Sequence, residues 1–123
     1  MNEEEFIQMD KGGVGDWWYD ARRVMLEREL SSTCLKSGAK ILDLAAACGG
    51  NFDICSQYGE VIGLDISWSS IDYCKKKKSV PLVQANAEIL PFAKESIDIV
   101  VALDVLEHLE DDSCSMREIQ RIL

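Results

Sequence analysis

Two carboxylates sit where their surroundings suggest chemistry. Asp43 lies in the apolar run Ile41-Leu42-Asp43-Leu44. That run leads into Ala45-Ala46-Ala47-Cys48-Gly49-Gly50-Asn51, where side chains nearly vanish. Asp65 ends a second run, Val61-Ile62-Gly63-Leu64, 22 residues further on. A buried strand that stops on a small-residue turn lets backbone approach a nucleotide-like ligand at the carboxyl end of the strand. A carboxylate closing the next strand can accept hydrogen bonds from both hydroxyls of a ribose. Together the two features point to a nucleoside-containing cofactor.

The elements that must position these residues follow from patterning. The spacing predicts a helix from Asp16 to about Leu30, with Trp18, Ala21 and Met25 three and four apart and arginines among them. At least one of Trp17 and Trp18 is expected to pack in the core. A first strand is expected over Lys40 to Leu44, then a helix from about Asn51 to Tyr58 that stops on a left-handed Gly59. The second strand ends at Asp65, and Ser67 can cap a helix running to about Lys75. The cations Lys75 to Lys78 complement the dipole at that helix end. A short third strand is expected around Leu82 to Ala85. Ile97 to Leu103 reads as a fourth strand buried on both faces. A last amphipathic helix follows the acids Glu110, Asp111 and Asp112, with Met116, Ile119 and Ile122 as its stripe. Strand–helix alternation implies an α/β fold with a parallel sheet and right-handed crossovers.

At 123 residues the chain reads as one domain, preceded by a flexible segment over residues 1–15. The glycines of Lys11-Gly12-Gly13-Val14-Gly15 do not make a phosphate loop, because no strand precedes them and no Lys-Ser or Lys-Thr follows. A net charge of −9 argues against nucleic acid as a partner, since a phosphate backbone needs a basic face. Five scattered cysteines without C-x-x-C spacing read as reduced thiols in a cytoplasmic protein, not a zinc or redox site. The acidic N-terminus has no apolar run after it, so neither a secretory signal nor a membrane span is expected.

Taken in order, these pieces resemble the class I S-adenosylmethionine-dependent methyltransferases, close to the type 11 methyltransferase domains. Ile41 to Asn51 stands where that family has hydrophobic-Asp-hydrophobic-Gly-x-Gly-x-Gly. Val61 to Ser67 resembles its second motif, and Ala85-Asn86-Ala87-Glu88-Ile89-Leu90-Pro91-Phe92 is similar to its Asp-Ala-Glu-x-Leu-Pro-Phe segment. Ile97 to Leu109 resembles its fourth strand and the helix after it. Glu118 to Leu123 is similar to the stretch before its Lys-Pro-Gly-Gly turn. The match covers residues 16–123.

The resemblance implies a Rossmann-like, doubly wound sheet of about four strands in the order 3-2-1-4. It implies S-adenosylmethionine as cofactor and a small-molecule methyl acceptor. Asp43 would orient the turn and reach the cofactor's amino group through water. Ala45, Ala47 and Gly49 would pack backbone against the methionine portion and ribose. Asp65 would take the ribose hydroxyls, and Ile66 would lie against adenine. Asn86, in place of the usual Asp, would accept from the adenine amino group. Ala87 would offer its backbone amide, and Leu103 would close the pocket. Catalytic residues are not assigned, and no metal site is expected. Some quinone-biosynthesis members bind a divalent metal through a Glu-x-x-Glu-His similar to the Asp104, Glu107 and His108 segment. If helical, those three share one face, yet packing and capping are the preferred role for a Leu-Glu-His-Leu segment. His108 is the one imidazole that could act as a general base. The Trp17-Trp18-Tyr19 and Arg22-Arg23 cluster either covers the pocket, binds an anionic substrate, or packs in the core.

Two departures from the family follow. Alanine replaces two of three turn glycines. Ala45 and Ala47 therefore adopt either the strained left-handed form or an ordinary φ with a shifted ligand. The family's fifth to seventh strands have no counterpart before Leu123. Strand four is then expected as an exposed edge, calling for an oligomer or a partner strand. An inactive remnant acting as a binding or pairing module is the competing function. A nicotinamide-dependent oxidoreductase is disfavoured because no Gly-x-Gly-x-x-Gly is present.

Overall fold

The computed structural model describes residues 3–12, 17–77 and 79–123. Four strands, β1 (Lys40–Leu44), β2 (Glu60–Asp65), β3 (Leu82–Gln84) and β4 (Ile99–Val101), form one parallel sheet in the order β3-β2-β1-β4. β1 lies between β2 and β4, with Ile41 opposite both Val61 and Ile99. It is buried from Ile41 to Leu44. That is why its sequence reads as nearly continuous apolar residues rather than as an alternation.

Successive side chains of a strand point to opposite faces, and the core divides accordingly. Ile41, Val61 and Val101 join one cluster with Phe6, Leu26, Leu30, Phe52 and Tyr73, from α1 (Glu3–Gly12), α2 (Trp17–Ser32), α3 (Phe52–Cys55) and α4 (Trp68–Lys77). Leu42, Leu44 and Leu64 join the other, with Leu90, Ile97 and the Ile119 and Ile122 stripe of α5 (Asp112–Ile122). This is the Rossmann-like, doubly wound arrangement anticipated above. α5 starts where the acids predicted, since the Asp111 carboxylate accepts from the Cys114 amide at 2.8 Å as an N-cap.

Several expectations are corrected. Residues 3–12, taken as part of a flexible segment, form α1. Phe6 is only 2% exposed and stacks on Tyr73 at 5.3 Å, and the Tyr73 hydroxyl donates to Asp10 at 3.0 Å. The glycines at 13 and 15, and Asp16 and Lys78, lie outside the described residues. Neither tryptophan of α2 packs in the core: Trp17 is 75% and Trp18 50% exposed, and Leu26 and Leu30 are the buried contacts instead. The helix after β1 is only Phe52–Cys55 and continues as turns. Gly59 is not left-handed. Its place is set by the Ala39 carbonyl, which a Cβ there would approach to 2.3 Å. The fourth strand is shorter than Ile97 to Leu103, because the amides of Ser96 and Ile97 go to the Ile122 carbonyl at the end of α5.

β4 pairs with β1 alone and is a sheet edge among the described strands. An apolar groove of about 560 Å³ runs along it between α2 and α5, walled by Met25, Leu26, Leu30, Met116 and Ile119. No helix among the described residues is long and apolar enough to cross a membrane.

Candidate functional site

The turn after β1 is the centre of the site, and its backbone is unusual. Ala45 has φ 61°, Ala47 φ 47° and Gly49 φ 74°. The alternative of alanines with ordinary φ is therefore overturned. Each left-handed alanine costs roughly 1–2 kcal/mol, from the Cβ crowding the following carbonyl. Gly49 is required twice over, since its φ is positive and a Cβ would meet the Phe52 ring at 2.6 Å.

Hydrogen bonds from three directions hold the strained turn. The Ala46 amide donates to the Leu64 carbonyl at 3.0 Å, and the Gly49 amide to the Ala46 carbonyl at 2.7 Å. The Ala47 amide donates to Asp65 Oδ2 at 2.9 Å. The Ala47 carbonyl accepts from Ser70 Oγ at 2.6 Å and from the Cys74 thiol at 3.3 Å, both on α4. Asp65 also binds the Ser67 amide through Oδ1 at 2.8 Å, so it ties the turns after β1 and β2 together. Each of its oxygens, as a carboxylate, keeps a second lone pair for another donor.

Asp43 lies beneath the turn on the face of β1 that it shares with Ile41, and it is 1% exposed. Its Oδ1 accepts from Asn51 Nδ2 at 3.1 Å, while its Oδ2 is buried with no hydrogen-bond partner among the described residues. Burial pushes the carboxyl up to about 7; the Asn51 amide and the Arg22 charge oppose that rise, and the Asp65 charge adds to it. Arg22 is held by Asp104, Nη1 to Oδ2 at 2.6 Å, and stands 5.6 Å from the centre of the Tyr19 ring.

Two cavities open beside the turn. The larger, about 610 Å³, is lined by Ala45 to Cys48, by Tyr19, Asp20, Arg22 and Arg23 of α2, by Met9 and Asp10 of α1, and by Leu103 and Asp104. Its size is in the range of small-molecule sites. The smaller, about 70 Å³, is an apolar slot lined by Leu44, Leu64, Ile66, Ala87, Val105 and Leu109, with Asp65 and Asn86 also in its wall. Ala45 lines both.

Of the nine positions singled out from sequence, seven line one cavity or the other. Ala45, Ala47 and Leu103 face the larger, and Ala45, Asp65, Ile66, Asn86 and Ala87 face the slot. Asp43 and Gly49 are buried supports instead. The Asn86 side-chain oxygen already accepts from the Glu88 amide at 2.9 Å. Asp104, Glu107 and His108 do not share a helical face. Asp104 has φ 53°, and only Leu106–His108 forms a short 3-10 turn, with Glu107 and His108 exposed to solvent. The five cysteines are free thiols. Sequence reasoning missed Met9 and Asp10, and it missed Ser70 and Cys74. The latter pair had a legible signal: Ser67, Ser70 and Cys74 put small polar groups on one face of a helix beside the turn.

Residues 42–123 match the family model described as "Methyltransferase domain". The chain is 33% identical over 100 residues to the uncharacterized protein MJ1252 of Methanocaldococcus jannaschii, covering 80% of this chain and 38% of that one. It is 29% identical over 119 residues to the ubiquinone/menaquinone biosynthesis C-methyltransferase UbiE of Shewanella frigidimarina, covering 85% of this chain and 46% of that one. The chain thus spans less than half the length of these two relatives. Among solved structures, a putative S-adenosyl-L-methionine-dependent methyltransferase (mmp1179) from Methanococcus maripaludis superposes with a TM-score of 0.78 at 16% identity. That superposition covers 99% of this chain and 59% of the other.

Proposed function

The chain belongs to the family of S-adenosylmethionine-dependent methyltransferase domains, and from that premise we propose that it binds S-adenosylmethionine across the two cavities and directs its methyl group to a small acceptor. The observation that carries this reading is that Ala45 lines both the larger cavity, with its charged side chains, and the apolar slot, which Asp65 lines as well. When bound, the cofactor supplies an electrophilic methyl on a sulfonium sulfur. Asp65 receives the ribose hydroxyls through its remaining lone pairs. Ile66 and Ala87 flank the adenine, and the Asn86 oxygen can accept one more donor. Arg22 and Arg23 give the larger cavity cations for a carboxylate, while Asp20 and Asp53 can meet an ammonium. Leu103 closes the wall toward β4. The protein's catalytic contribution is alignment of an acceptor in line with methyl and sulfur, and we assign no residue as a base.

The acceptor is an oxygen, nitrogen or carbon nucleophile. The name of the Shewanella relative makes carbon the first class to screen. Five free thiols suit the reducing cytoplasm, and the acidic chain is not expected to bind nucleic acid. The β4 edge and its apolar groove suit cover by a second copy or a partner strand. Formation of S-adenosylhomocysteine from S-adenosylmethionine across a panel of acceptors tests the proposal. Turnover that disappears in Asp65→Ala supports it; turnover indifferent to Asp65→Ala contradicts the site.

A second reading, a non-catalytic remnant, is favoured by one observation: two alanines occupy left-handed positions that glycine fills at no steric cost. It predicts that Ala45→Gly with Ala47→Gly leaves cofactor binding undetectable. Tight binding by that variant would remove it.

A further inference from the structure

We infer that Ser70 is a positioning residue: by holding the Ala47 carbonyl it keeps the turn after β1 left-handed and thereby sets affinity for the cofactor. The inference rests on the cofactor reading above. Ser70 is 2% exposed on α4, and its hydroxyl donates to the Ala47 carbonyl at 2.6 Å. The Cys74 thiol, one helical turn on, adds a weaker contact at 3.3 Å. On the other side of the same residue, the Ala47 amide is held by Asp65 at 2.9 Å.

Both peptide groups of Ala47 are therefore gripped, one from β2 and one from α4. A left-handed alanine needs such a grip, because relaxing φ would relieve its steric cost. Glycine at the same position would not. Relaxation would move a wall of the larger cavity, which Ala47 lines, and would release the Asp65 oxygen from the turn. Removing the hydroxyl leaves the half-buried Ala47 carbonyl with the thiol as its remaining side-chain donor, which is a poor substitute. Ser70 touches neither cavity, so its influence runs through Ala47.

The test is a cycle of four proteins: parent, Ser70→Ala, Ala47→Gly, and the two together. S-adenosylhomocysteine binding is measured by calorimetry, and NMR backbone shifts report φ at residue 47. The expected result is a loss of affinity of about tenfold in Ser70→Ala and of less than about threefold when Ser70→Ala is made on Ala47→Gly. NMR should show positive φ at residue 47 lost in Ser70→Ala and kept in the double variant. Equal affinity for parent and Ser70→Ala overturns the inference. So does a tenfold loss that persists in the glycine background, since Ser70 would then act elsewhere. If the parent binds no S-adenosylhomocysteine, the cofactor reading fails on its own, and the NMR result still decides. Positive φ retained at residue 47 in Ser70→Ala overturns the inference. Should Ser70→Ala fail to fold while the double variant folds, the dependence on left-handed strain is upheld.

Discussion

Ala45 and Ala47 concentrate strain at the point where the ligand must pass, with φ of 61° and 47°. Ala45→Gly and Ala47→Gly should each stabilise the fold by about 1 kcal/mol, the steric relief being partly offset by the unfolded-chain entropy of glycine. Urea denaturation checks the direction, and a fall in stability would mean the turn depends on the methyl groups for packing. Asp43 supplies a pH dependence. Burial pushes its carboxyl from the ordinary 3.8 of an exposed aspartate up to about 7 in the fold. The folded state thus holds the proton more tightly. The associated stability is full below 3.8 and is lost as pH rises toward 7, a span on the order of 4 kcal/mol. The melting temperature should fall between pH 5 and pH 8 in the parent and stay nearly flat in Asp43→Asn; parallel curves would refute the assignment. The identity of these residues was legible from the apolar run and the small-residue turn. Their state was not. The left-handed turn is hydrogen-bonded to Asp65 and Ser70, and the raised pKa of Asp43 comes first from its burial, both set by residues far from the turn in sequence.

Among the elements, the four strands were legible because β1 and β2 are apolar and end abruptly on small residues or an acid. α1 was not. Its sequence is acidic and glycine-terminated, and its stability comes from burying Phe6 against Tyr73, a contact 67 positions away. Local propensity cannot report such a contact. Phe6→Ala should cost about 3 kcal/mol, and it should loosen the wall that Met9 and Asp10 contribute to the larger cavity. Hydrogen exchange on α1 and α4 would register both effects; protection unchanged in α4 would mean the helix is not docked there. Apolar periodicity also misplaced the outer face of α2. Trp18, Ala21 and Met25 keep helical spacing but are exposed, and the buried residues of the helix are Leu26 and Leu30.

At the scale of the whole molecule, a sheet edge among the described strands meets a strong negative charge. β4 is an edge beside an apolar groove, and Met25, Met116 and Leu123 are exposed on its walls. A net charge of −9 opposes self-association in dilute buffer, and salt screens that repulsion. Light scattering should therefore detect association that grows from low to high salt and shrinks in Met116→Glu. Salt-independent monomers would show that the groove is not sticky enough to recruit a second copy. The place of β4 beside β1 was legible from strand order in the family that the motifs resemble. The groove's walls required knowing which faces of α2 and α5 turn inward. The central claim is that the strained alanine turn still forms a cofactor site. Calorimetric titration of S-adenosylhomocysteine into the folded, unaggregated chain tests it most directly. The account predicts saturable one-site binding with a Kd on the order of micromolar, and a folded sample of the parent chain that gives no binding heat would contradict it.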